Sequence, residues 1–198
     1  MAETVREPKQ KRSIEKKERI IKAGYKLFAE KGYFNTNTAE IAKEAGVSTG
    51  IVYGYFHDKR DILLEAMDIY LENVFTPILS LLDGITTLDF RLILTKAIEH
   101  AVEAHRNNAA MHTTLHSLFT EDEIVDAKFS AIEEEMTKKI SAKLVGLGYP
   151  EENVYEKVHT AIMVAQSIAH EEVYDNHNYI DYRRMREIVL NMLIGVFC

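Results

Sequence analysis

The stretch AGVSTGIVYGYF, residues Ala45 to Phe56, gathers Thr49, Gly50, Tyr53 and Tyr55 within a few positions. A threonine offers a hydroxyl and a methyl to base edges, and a glycine lets a backbone approach a partner closely. Tyrosine hydroxyls reach phosphate oxygens. The chemistry these types suit is non-covalent recognition of a polyanion. No rival chemistry is spelled out elsewhere: there is no glycine-rich phosphate loop, no nucleophile elbow, and Cys198 is the lone cysteine. No catalytic residue is expected. His112 and His116 stand one helical turn apart, which permits two metal ligands, but no third ligand follows at a diagnostic spacing. Neither a metal site nor a cofactor is expected.

Glycine and valine are weak helix formers, so the elements around this stretch must hold it. The N-terminal residues 1–13 have no apolar period and read as a basic, flexible arm. From Ile14 the pattern turns helical, with Ile20, Gly24, Leu27 and Phe28 on one face and Gly32 at a stop position. Asn37 with Glu40 three residues on is a capping box that opens a short second helix. Gly46 supplies a turn, and Ser48 caps a third helix of about two turns. Val47, Ile51 and Phe56 are the expected inward anchors. Asp58 caps a long fourth helix, bent near Pro77. Further helices are expected near 87–105, 107–119, 121–147, 151–176 and 182–197. The fold class is therefore all-α, about nine helices, with no strand signal. The expected division is an arm at 1–13, a three-helix helix-turn-helix domain at 14–58 and a helical domain at 59–198.

The net charge of −7 conceals an asymmetry. Residues 1–60 hold 13 Lys and Arg against 8 Asp and Glu, whereas residues 61–198 hold 11 against 23. A basic head on an acidic body can still draw phosphates locally. The scarcity of cysteine, the charged N-terminus and the absence of a bilayer-length apolar run favour a soluble cytoplasmic protein with no membrane partner.

A helix, a tight glycine turn and a second short helix match the helix-turn-helix arrangement, in which the second helix enters the major groove. The segment Ile20 to Ala66 resembles the N-terminal domain of the tetracycline-repressor (TetR) family of transcriptional regulators. The agreement covers "LF-E-GY", Thr36 ahead of the second helix, "IA--AGVS-G", "Y-YF" and Lys59, about a quarter of the chain. The resemblance implies that Thr36 and Asn37 meet a phosphate, that Thr49 and Gly50 face bases, and that Tyr53 and Lys59 clamp the backbone. Ser48, Tyr55 and His57 belong to the same DNA-binding set. Two positions depart from the family pattern: residue 49, often Lys, is Thr49, and residue 54, often large, is Gly54. Both shorten the reach of the reading helix.

The resemblance also implies a C-terminal domain that dimerises and binds a ligand. The chain would then be a repressor that holds a palindromic double-stranded operator as a homodimer and is released by a small-molecule inducer. Polar residues in otherwise apolar helices are the pocket candidates: His100, His112, His116, Gln166 and His170, with Met111, Phe119, Met163 and Tyr174 as walls. Two stripes suit a dimer interface, Ala161, Ala165 and Ala169 in one helix and Met185, Ile188, Met192 and Val196 in the last. The alternatives are a helical interaction protein with a degenerate head and a metal-responsive repressor.

Overall fold

The computed structural model describes residues 11–198 and is helical throughout, with no strand among the described residues. The arm expected at 1–13 lies mostly outside the described residues. Its last three positions already belong to α1 (Lys11–Lys31), three residues ahead of the expected start. The remaining helices are α2 (Thr38–Glu44), α3 (Thr49–Tyr53), α4 (Lys59–Gly84), α5 (Phe90–Asn107), α6 (Ala109–Phe119), α7 (Glu123–Gly146), α8 (Val154–His170) and α9 (Tyr182–Phe197). No described helix is long and apolar enough to cross a membrane.

The contacts divide the chain into two compact units, residues 1–71 with 108–129 and residues 72–107 with 130–198. In the first, α1 buries Ile20, Ala23, Gly24 and Phe28, a spacing that keeps one face inward. Gly24 is there for closeness: a Cβ on it would lie 2.4 Å from Ile62 Cγ2 at the start of α4. Gly32 ends α1 at φ +81°, the left-handed conformation that favours glycine, and its N–H bonds Phe28 O at 3.0 Å.

This unit reaches past the expected boundary at 58 and takes in α6 and the start of α7, because side chains distant in sequence fasten them together. Tyr33 N–H donates to Thr114 Oγ1 at 3.1 Å, Tyr25 Oη to Asn108 Oδ1 at 2.7 Å, and Lys128 Nζ to Asp68 at 2.8 Å. Arg60 grips Asp122 through both Nε and Nη2. Asp122 also caps α7, accepting from Ile124 N–H at 3.1 Å and Val125 N–H at 3.2 Å. The Arg60 guanidinium pulls the Asp122 carboxyl down to about 2.

The second unit is built on α5 against α8. The inward faces carry Ile93, Leu94, Ile98, Ala101 and Val102 on α5, and Val158, Ile162, Ala165, Ile168 and Ala169 on α8. An aromatic group closes one end: the Phe90 and Phe197 rings stack at 4.8 Å, and Tyr149 Oη donates to Phe197 O at 3.0 Å. The helix expected to run to 176 changes pitch at Glu171, where one π-helical turn (Glu171–Asp175) follows α8. That turn directs Glu172 inward, where it is 6% exposed and ion-paired with Arg106 at 2.7 Å and Arg186 at 3.2 Å. It also lets Tyr174 Oη donate to His105 O at 2.9 Å.

Candidate nucleic-acid interface

Helix α3 is built from local caps and two buried anchors. Asn37 and Glu40 form the capping box of α2, with Glu40 N–H donating to Asn37 Oδ1 at 3.0 Å and Asn37 N–H to Glu40 at 3.1 Å. Gly46 turns the chain at φ +65°. Ser48 Oγ accepts from Ile51 N–H at 3.4 Å, so its hydroxyl starts α3. The anchors are Val52, fully buried, and Phe56, one turn on; Val47 and Ile51 are only half-buried. With Val52 and Phe56 inward, helical geometry turns Thr49, Gly50 and Tyr53 outward together, and all three are exposed. A Cβ added to Gly50 would meet nothing nearer than Ser48 Oγ at 4.0 Å, so no internal contact demands a glycine there.

Other members of the expected set have structural partners. The Thr36 side chain is buried, its hydroxyl donating to Gly32 O at 2.8 Å; it braces the turn instead of facing a phosphate. The Tyr55 hydroxyl lies 2.6 Å from Ser13 Oγ and ties the segment after α3 to the start of α1 in place of the expected outward reach. Lys59 Nζ donates to Tyr33 O at 2.8 Å and Thr36 O at 2.9 Å, and sits 4.2 Å from the centre of the Tyr33 ring. Its third N–H is what it can offer a phosphate. Burial lowers the Lys59 pKa. The His57 ring is exposed, with Nδ1 2.9 Å from Asp61 Oδ2. Asn37 is exposed, and its carbonyl is used by the cap.

The pocket candidates fall in both units. Met111, His112, His116 and Phe119 belong to the first unit; His100, Met163, Gln166, His170 and Tyr174 belong to the second. The His112 and His116 rings are 5.8 Å apart, and among the described residues no three His, Cys, Asp or Glu side chains converge on a metal position. In the second unit an apolar cavity lies between α5 and α8, and of these candidates only Gln166 lines it. Met163, expected as a pocket wall, is instead 54% exposed. His105, which sequence reasoning passed over, is buried with Nδ1 2.8 Å from Ala101 O, and burial lowers its pKa.

The two expected interface stripes also differ. On α9, Ile188 is 69% and Met192 55% exposed, with Met185 and Val196 half-buried, leaving an apolar face without a partner among the described residues. On α8 the alanine stripe faces the other way. Ala165 and Ala169 are buried, and Ala161 and Ala165 line the cavity facing α5. The exposed face of α8 is Tyr155, His159 and Met163, four residues apart in turn.

Residues 20–66 match the family model described as bacterial regulatory proteins, tetR family. Over 72 residues the chain is 43% identical to the HTH-type transcriptional regulator HbdR of Aromatoleum sp. (36% of this chain), spanning only 31% of that relative's length. An HTH-type transcriptional regulator of Staphylococcus aureus is 28% identical over 139 residues, which cover 60% of this chain and 75% of that protein. The fold is shared with the structure of a TetR-family transcriptional regulator from Mesorhizobium loti, at TM-score 0.74 and 19% identity, over 94% of this chain and 97% of that one.

Proposed function

We propose that this member of the TetR family of bacterial regulatory proteins is a DNA-binding repressor. In this reading it holds a palindromic operator as a homodimer and lets go when a small molecule enters its second unit. The observation that carries the DNA-binding part is the outward face of α3. Thr49, Gly50 and Tyr53 are exposed, while Ser48, Val52 and Phe56 are spent on holding the helix in place. Thr49 and Gly50 read base edges, Tyr53 and the remaining N–H of Lys59 grip the phosphates, and Asn37 and His57 border the same surface. The basic balance of residues 1–60 supplies the long-range attraction.

The dimer is supported by the unpartnered face of α9, because a monomer seldom leaves residues such as Ile188 and Met192 together in water. Pairing that face and the exposed stripe of α8 about a two-fold axis presents two heads, which a palindrome matches. Control by a ligand requires that the ligand bind the DNA-free form better, and DNA must then weaken the ligand equally. A regulator of this kind works in the cytoplasm and catalyses nothing.

The test is a titration with genomic DNA fragments at several salt concentrations. The expected result is a saturable, sequence-selective site with a steep salt slope. Tyr53→Phe weakens all sequences alike, whereas Thr49→Ala changes base preference. Weak binding indifferent to sequence overturns the proposal.

A further inference from the structure

We propose that the cavity of the second unit takes an unbranched, uncharged hydrocarbon chain whose single polar end is hydrogen-bonded by Gln166. This rests on the ligand-controlled reading above and names the class of ligand. On α5, Ala97 and Ala101 are one turn apart; on α8, Ala161 and Ala165 repeat that spacing, and all four line the same void of about 80 Å³. Were these alanines there to bring the helices into close contact, the space between them would be filled. The pocket is partly open, and apolar walls left in water forgo the burial an occupant would supply, so a sequence that keeps such a recess forgoes stability unless something occupies it.

The rest of the lining defines the occupant. Val74, Phe75 and Ile78 on α4 form one wall, and Phe90 and Phe197 close the aromatic end. No lining residue carries a charge. An ion entering would lose its hydration with nothing to replace it, so the ligand is neutral where it sits. An apolar cavity of about 150 Å³ accepts benzene and stays dry. The space here is about 80 Å³, about half that size and partly open, so a slender chain fits it with less movement of the walls than a ring does. Gln166 is half-buried and the single polar side chain in the lining, and its amide both donates and accepts. It suits a hydroxyl or carbonyl at the end of the chain. Phe75 and Ile78 flank Pro77, which has no N–H to give to the helix ladder. The wall is weakest there, and a longer chain extends the void in that direction.

The experiment uses the full chain without DNA and titrates 1-alkanols of increasing length, with cyclohexanol, benzyl alcohol and tetramethylammonium as comparisons, by calorimetry and thermal shift. Affinity is expected to rise about fourfold per added methylene until the void is full, then level off. The ring alcohols and the cation should bind at least about tenfold more weakly than the best chain. Ala165→Leu fills the void and should weaken the best alkanol about tenfold without lowering the melting temperature. Ala97→Val, a smaller insertion at a half-exposed position, repeats the test should the first variant fold poorly. Gln166→Leu should remove the preference for an alkanol over the matching alkane.

No saturable binding of any chain, equal affinity for rings and chains, or unchanged affinity in both alanine variants overturns the inference. Operator binding measured in parallel separates the two readings. If alkanols bind as described and operator affinity does not move, the cavity inference stands and ligand control fails. If the operator is bound and no chain enters, the inference fails and the DNA-binding reading stands.

Discussion

Replacing Asp122 by asparagine removes the charge that Arg60 grips while keeping an oxygen to cap α7, so the variant isolates the ion pair from the cap. In the folded protein the Asp122 carboxyl titrates at about 2 against an ordinary 3.8. A shift of that size is worth at most about 2.4 kcal/mol, at about 1.4 kcal/mol for each pKa unit. Asp122 is 15% exposed and Arg60 34%, so water screens part of the attraction, while the two-pronged geometry preserves more of it than a single surface contact would. The expected loss on Asp122→Asn at neutral pH is therefore about 1 kcal/mol. The sign of the pH dependence follows from a pKa depressed by folding. The stabilisation is fully present above about pH 4 and disappears as pH falls toward 2, because protonation is easier in the unfolded chain. Urea unfolding followed by circular dichroism at neutral pH, near pH 4 and near pH 2.5 measures it. Using the difference between native and variant chains cancels the other carboxylates. A variant as stable as the native chain at neutral pH refutes the reasoning. So does a difference that persists undiminished at the lowest pH.

Three further outcomes are expected. Gly24→Ala puts a methyl 2.4 Å from Ile62 Cγ2, so overpacking should cost about 1–3 kcal/mol, read as a lower melting temperature of the chain. Gly50→Ala, whose new Cβ would meet only Ser48 Oγ at 4.0 Å, should leave stability within about 0.5 kcal/mol while weakening DNA binding in a fluorescence anisotropy titration. Full DNA affinity in that variant would mean that Gly50 does not face the groove. Met192→Glu, placing a charge on the apolar face of α9, should convert a dimer into a monomer in analytical ultracentrifugation. A native chain already monomeric at the same concentration would remove the basis for the dimer.

Much of the head was legible because its determinants are local. The capping box at Asn37 and Glu40 and the cap at Ser48 join residues three apart. The Gly46 turn needs only a positive φ, available to glycine without cost. What the sequence left undecided was which hydroxyls and amines already have a partner within the chain. Tyr55, Thr36 and Lys59 look available in sequence, yet Ser13, Gly32 and the carbonyls of Tyr33 and Thr36 already engage them. Those partners lie from 4 to 42 residues away, and only the folded chain brings the distant ones near. Inside α3 the anchor moved from Ile51 to Val52, since a one-residue shift rotates a helix face by about 100° and five residues are too few for the pattern to resolve it.

In the second unit the sequence by itself determined that the chain is helical, and it marked two stripes of small or apolar residues as special. It could not decide which way each stripe faces. A period of four residues states that side chains share a face and leaves open whether that face meets another helix of the same chain, a void or a second molecule. The tertiary structure decided it: α5 lies against α8, so the alanines at 161 and 165 turn inward to a cavity, and Ile188 and Met192 on α9 are left in water. The division has one physical cause. Caps, turns and helical faces follow from the backbone hydrogen bonds of a few neighbouring residues, whereas the direction a face takes depends on which distant segments it buries.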